Sequence, residues 1–186
     1  MSLDNDGPPG GTARLDSEIA AAQIERPLRA ASEARARCSL GLPTVIRVPP
    51  VLDDGTPFPT RFWLTCPLAN KRIGRLEGAG GVKAMESALG EDPHLAAQMA
   101  DAHRRYEAER DAAIPVDAVH RPSGGVAGLT VGVKCLHAHY ADHAAGNDNP
   151  VGALVAPWVE PLHCEIPCVT EVAGVVARNP DWREPK

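Results

Sequence analysis

Proline and glycine divide this chain into short segments, and their placement limits each element to what fits between them. Pro27 must end any helix begun near Asp16, because its ring removes a backbone donor and clashes with the preceding turn. A helix from Asp16 or Ser17 through Ile24 fits ahead of it, while residues 1–13, rich in Gly, Pro and Asp, read as a disordered tail. The stretch from Leu28 to Arg37 carries helical propensity but leads into strand-rich sequence, and it stays ambiguous. Val45-Ile46-Arg47-Val48 reads as a strand and Asp53-Asp54-Gly55 as a turn. Phe58 to Cys66 is then the returning strand, with Pro59 marking an edge or an irregular entry.

After Pro67 the apolar spacing becomes helical. Ala69, Ile73 and Leu76 share a face that ends at Gly78, Gly80 and Gly81, and Val82, Met85 and Leu89 make the next, closed by Gly90. Asp92-Pro93 is a helix start, with Asp as N-cap and Pro at the first helical position. Leu95, Met99, Ala102 and Tyr106 carry that helix to about Ala113, ahead of Pro115. Beyond a loop over 114–130, a further helix is predicted from Val131 to Ala145 with Gly146 as its cap. A single turn, Val151 to Ala156, then ends at Pro157. The expected fold is one α+β domain over residues 14–160, a small N-terminal antiparallel sheet packed against four or five helices. Residues 161–186 are expected to be loosely structured.

A length of 186 residues suits one domain with a sizeable core, and aromatics at 4% leave that core to Leu, Val, Ile and Ala. The formal charge of -5 argues against a nucleic-acid partner, because neutralising phosphates needs a basic face. The first residues lack the positive start and apolar run of a signal peptide, and nothing approaches the roughly 20 apolar residues of a membrane span. A cytoplasmic protein acting on a protein partner or a small molecule, away from membranes, is the expectation. Its five cysteines would then be reduced thiols, metal ligands or redox groups.

Chemistry concentrates in Lys134 to His143, where one thiol, three histidines and a carboxylate crowd together. On a helix, His139 lies about 40° from Cys135, so the two can chelate one ion, whereas His137 points away at about 200° unless the helix starts later. Asp142 shares the face two turns on, and His139 with His143 forms a second pair. Cys38 and Cys66, at the edges of the proposed sheet, are the natural partners of Cys135. The leading reading is a zinc or iron-sulfur centre held by Cys38, Cys66 and Cys135 and closed by His139 or Cys168, in a structural or regulatory binding role. Two rivals stand beside it. One is a zinc hydrolase with an open coordination position and His137, Asp142 or His143 moving the proton. The other is a metal-free protein whose cysteines pack in the core. His163-Cys164 with Cys168 reads as incidental to a tail, and Asp53-Asp54, His94 and His103 as solvated groups.

Three stretches carry a family resemblance: Arg37-Cys38 with Gly41-Leu42-Pro43, the run LDDGTPFPTRFWLTCP from Leu52 to Pro67, and VKCLH from Val133 to His137 with Asn149-Pro150 downstream. Over residues 16 to 158 the chain resembles the uncharacterised bacterial family called domain of unknown function 501. The resemblance implies a bacterial cytoplasmic protein with no established activity and with cysteines at the places of Cys38, Cys66 and Cys135. It also implies a histidine near Asp142. This chain offers Asp142, His143 or His139 there instead.

Overall fold

Four of the five residues of β2 (Pro43–Arg47) are buried, and the fold is organised around this strand. It pairs antiparallel with β1 (Glu33–Arg37) on one side and β3 (Phe62–Leu64) on the other, with Val45 opposite Leu64 and Ile46 opposite Trp63. Successive side chains on a strand point to opposite faces. Val45 therefore enters the main core with Phe62, Leu64, Leu68 and Ile73, while Ile46 enters a smaller cluster with Ala20, Ala30, Val48 and Leu52.

The computed structural model describes residues 9–185, with side chains from Leu15 onward. Residues 1–8 of the expected tail lie outside the described residues. Residues 9–13 of that tail already belong to α1 (Pro9–Gln23), so this helix starts earlier than Asp16. Three helices follow the sheet: α2 (Pro67–Gly78), α3 (Gly81–Glu91) and α4 (Pro93–Ala112). The predicted cap of α4 is present, Asp92 accepting from the amides of His94 and Leu95. Then come α5 (Leu136–Ala144) and α6 (Pro150–Val159), packed against each other, α5 also against β3. The class is α+β, with six helices among the described residues.

Several boundaries differ from the sequence reading, each for a physical reason. The ambiguous stretch before Arg37 becomes strand because β2 needs an outer partner. The returning strand shrinks to Phe62–Leu64, since Pro57 and Pro59 supply no ladder donors. The α6 helix runs through Pro157, which lies in its exposed last turns, where losing one backbone bond is tolerated. The segment after residue 160 holds a hairpin, β4 (Val169–Val172) and β5 (Val175–Arg178), turned by Ala173 and Gly174 at φ 52° and 79°. Positive φ at both central residues matches the right-handed twist of the strands. This hairpin packs on α1 and places Cys168, Val169 and Trp182 in the main core.

Candidate metal centre

The predicted helix over Val131–Ala145 starts five residues late, and that shift creates the site. Gly132 has φ +81°, and the Val133 amide donates to the Glu86 carboxylate, so the chain stays irregular there. Cys135 is extended (φ −158°, ψ 125°) and occupies the N-cap of α5 without using its sulfur as a cap. The first free amide of the helix, on Leu136, donates instead to Glu77 Oε1 at 2.6 Å, across from the end of α2. Helix N-termini present unsatisfied donors and favour negative charge, and Glu77 supplies both needs.

With Cys135 ahead of the helix, the 200° separation no longer applies and His137 folds back beside the thiol. Glu77, Cys135 and His137 each offer a ligand atom, and these atoms lie within 4.8 Å of one another. Among the described residues this is the one such group of three or more. His137 Nδ1 is 3.1 Å from Glu77 Oε1, and its Nε2 is 3.3 Å from the Asn70 carbonyl oxygen. Both partners are acceptors, so both ring nitrogens carry protons when the two contacts are made. Burial alone would lower the imidazole pKa, but the Cys135 sulfur and the Glu77 carboxylate outweigh it and hold the ring up at about 9. All three residues are partly exposed, the side chains of His137 and Glu77 by 28% and 26%.

The remaining predicted ligands do not join this group. His139 is fully buried on the inner face of α5, its Nδ1 3.2 Å from Asn149 Oδ1 and its ring edge-on to His103. The Asn149 oxygen also accepts from the Gly152 amide, so Nδ1 of His139 is the protonated nitrogen and Nε2 is left buried without a partner. Burial drives this imidazole down to about 4. Its proposed pairing with Cys135 is lost because the helix starts one residue beyond the cysteine. Asp142 is buried too, accepting from Arg105 at 2.5 Å, Asn149 at 2.9 Å and Asn147 at 3.0 Å. Arg105, Asn147 and Asn149 of this network also line a cavity of about 590 Å³, together with His143.

Cys38, Cys66 and Cys168 do come together, but away from Cys135. They line one small cavity between the β1–β2 turn, the start of α2 and the C-terminal segment, and Cys164 joins them there. The expected set of Cys38, Cys66 and Cys135 is therefore divided between two places. Burial pushes the Cys66 thiol up to about 11, against the Ala69 and Leu68 amides that face its sulfur. Burial likewise raises Cys168, against the hydrogen bond that Gln23 Nε2 donates at 3.5 Å.

Sequence reasoning missed Glu77 and admitted His137 beside Cys135 only if the helix started later. Glu77 stands near the end of α2 with nothing in its spacing to mark it. His137 was recoverable: Val131, Gly132 and Val133 are poor openers of a helix, and a start after Lys134 brings the histidine to the thiol.

No curated protein and no solved structure matches the chain. The family model described as "Protein of unknown function (DUF501)" matches residues 34–157, two thirds of the sequence, and the chain belongs to that family.

Proposed function

We propose that this chain is a zinc-binding protein with a regulatory role, taking up one ion reversibly at Glu77, Cys135 and His137. The mutual 4.8 Å spacing of their ligand atoms carries the reading. One sulfur, one nitrogen and one oxygen form the mixed donor set that a borderline ion such as Zn²⁺ accepts. Three protein ligands leave a fourth position, and the partial exposure of the group turns that position toward solvent. A small molecule or a partner's side chain can complete it. Reversibility follows from the partners already present: Glu77 bridges the His137 ring and the Leu136 amide, so the local fold is satisfied before any ion arrives. Zinc must displace the Cys135 proton and one from His137, which couples uptake to proton release.

Calorimetric titration of zinc in buffers of different ionisation enthalpy tests this. The expected result is a binding event accompanied by proton release that disappears in Cys135→Ser and weakens at least tenfold in His137→Ala. Unchanged zinc binding in Cys135→Ser refutes it.

The same geometry favours a second reading, a nucleophilic thiol. Cys135 at a helix N-terminus beside a doubly protonated imidazole, itself held by a carboxylate, has the parts of a thiolate–imidazolium pair. Faster alkylation of Cys135 than of Cys38 at neutral pH, abolished by His137→Ala, favours this reading. Equal rates exclude it.

A further inference from the structure

Four of the five cysteines, Cys38, Cys66, Cys164 and Cys168, line one small cavity, and none of them belongs to the site above. The space inside is about 10 Å³. Four thiols around one small space are a ligand set that zinc accepts. We infer that these four thiols form a second metal site, a closed zinc centre that fastens the C-terminal segment to the sheet and to α2.

The residues come from three separate parts of the fold, and each is presented by local backbone. Cys38 opens the turn between β1 and β2: its carbonyl accepts from Gly41 at 2.9 Å, its amide donates to Leu42, and Gly41 adopts φ +74° to close the loop. Cys66 is the N-cap of α2, its sulfur near the amides of Leu68 and Ala69 but making no cap hydrogen bond. Cys164 and Cys168 are spaced four apart in the segment that leads into β4, and Gln23 of α1 donates to the Cys168 sulfur. Amide donors aimed at sulfurs orient and stabilise metal-bound thiolates. Arg178 also faces Cys168, a cation beside what becomes a net-negative centre once four thiol protons leave.

No three of these sulfurs yet lie within 4.8 Å of one another. Zinc–sulfur bonds of about 2.3 Å in a tetrahedron require sulfur separations of about 3.8 Å. Cys66 and Cys168 are buried and fixed, whereas Cys38 and Cys164 are half-exposed on a turn and a loop. Closing the site therefore requires those two side chains to turn toward the buried pair. A centre with four protein thiolates has no open position, so its role is structural.

Two measurements on the full chain test this. The first is zinc content by elemental analysis after purification with zinc present. Two ions are expected in the wild type, one in Cys164→Ser and one in Cys135→Ser. The second counts alkylated thiols by mass in Cys135→Ser. Zinc should protect all four remaining cysteines, and a chelator should restore labelling of Cys38 and Cys164 first. Zinc content in Cys164→Ser equal to that of the wild type, or Cys38 and Cys164 labelling equally with and without zinc, overturns the inference. So does purified protein carrying iron with broad visible absorption lost in Cys164→Ser. If the single loss maps to Cys164 and none to Cys135, this centre stands and the proposed reversible site falls. The converse leaves that site and removes this one.

Discussion

Gly152, on α6, lies directly against the backbone of α5, and replacing it with alanine tests the packing that places His139. A methyl group there would lie 2.5 Å from the His143 Cβ and closer still to the carbonyl oxygen of His139. Ordinary contact begins near 3.4 Å, so α5 and α6 must part by about 1 Å. Neither obstacle is a flexible side-chain end that can swing aside. Overpacking of this kind costs about 1–3 kcal/mol. Helix propensity returns about 1 kcal/mol for glycine to alanine in a helix interior. Strain should exceed that return, because separating the helices also stretches the bond that His139 Nδ1 donates to Asn149 Oδ1. Gly152→Ala is expected to lose about 1–2 kcal/mol. Gly74→Ala is the control: this residue lies within α2, is exposed, and has nothing within 4 Å of an added Cβ. It should gain up to about 1 kcal/mol from propensity alone. Urea unfolding followed by circular dichroism reads both, as midpoints moving in opposite directions at an unchanged slope. A neutral or stabilising Gly152→Ala would refute the close crossing of α5 and α6.

Three further outcomes follow from buried and paired charges. His139 is held neutral down to about 4 in the fold but takes a proton near 6.5 when unfolded, so its contribution is intact above 6.5 and is lost as pH falls toward 4. The loss amounts to about 3 kcal/mol. His139→Gln should flatten the dependence of the urea midpoint on pH between 6.5 and 4, and an unaltered slope excludes His139 as its source. His137 has the opposite sign: with its pKa held at about 9 against burial by the Cys135 sulfur and Glu77, these contacts stabilise fully below about 6.5 and fade as pH rises through 9. Glu77→Gln should accordingly destabilise the protein by about 1–2 kcal/mol at pH 7 and have less effect at pH 10. Equal effects at both values would argue that the Leu136 amide is the only partner that matters. Arg110 is fully buried and donates to the Gly124 carbonyl and to Asp111. Arg110→Ala should cost about 2–4 kcal/mol by stranding that carbonyl and opening a cavity, seen as a lower thermal midpoint.

What the sequence revealed and what it concealed divide along one line, the range of the deciding contact. The strand at Val45–Arg47 and the helix opened by Asp92 are set by neighbours a few residues away, and both are where local pattern puts them. The start of α5 is set by Glu77, whose carboxylate takes the Leu136 amide from 59 residues upstream. Local spacing carries no trace of that bond, so a helix drawn through Cys135 put His137 on the wrong side and paired the thiol with His139. The β4–β5 hairpin was concealed for a different reason: its turn uses Ala173 at φ 52°, a residue that does not announce a turn. Cys38, Cys66 and Cys168 were chosen on residue type and did converge. Cys135 did not join them, because it caps α5 beside Glu77 near the end of α2, whereas Cys66 caps the start of α2.

The convergence of those thiols has a consequence for how the chain ends are held. The family match covers residues 34–157 and so contains Cys38 and Cys66 but neither α1 nor the hairpin. Those two flanking pieces depend on each other: Arg178 donates to the Gln23 carbonyl, Gln23 donates to Pro43 and to Cys168, and Trp182 sits buried beneath Lys71 and Arg178. Arg75 adds a paired contact to Glu184, but both groups meet at the surface, where such pairs contribute little. On the N-terminal side, α1 is joined to the matched region by Ile19 and Ala20 in the core, by the Gln23 bond to Pro43 and by Asp16 paired with Arg37, whereas the C-terminal segment is joined to it mainly by apolar contact around Trp182 and Val169 and by the thiol cavity. A zinc ion there would add ligand bonds from Cys38 and Cys66 on one side to Cys164 and Cys168 on the other, fixing the C-terminal flank to the matched region at one point. Without it, the hairpin rests on α1, the Arg178 bond to Gln23 and the core contacts of Val169 and Trp182, and hydrogen exchange in residues 169–178 should be faster in Cys164→Ser than in the zinc-loaded wild type, with α4 unaffected. Equal protection in both proteins would mean that the apolar contacts suffice and that the ion, if bound, holds nothing in place.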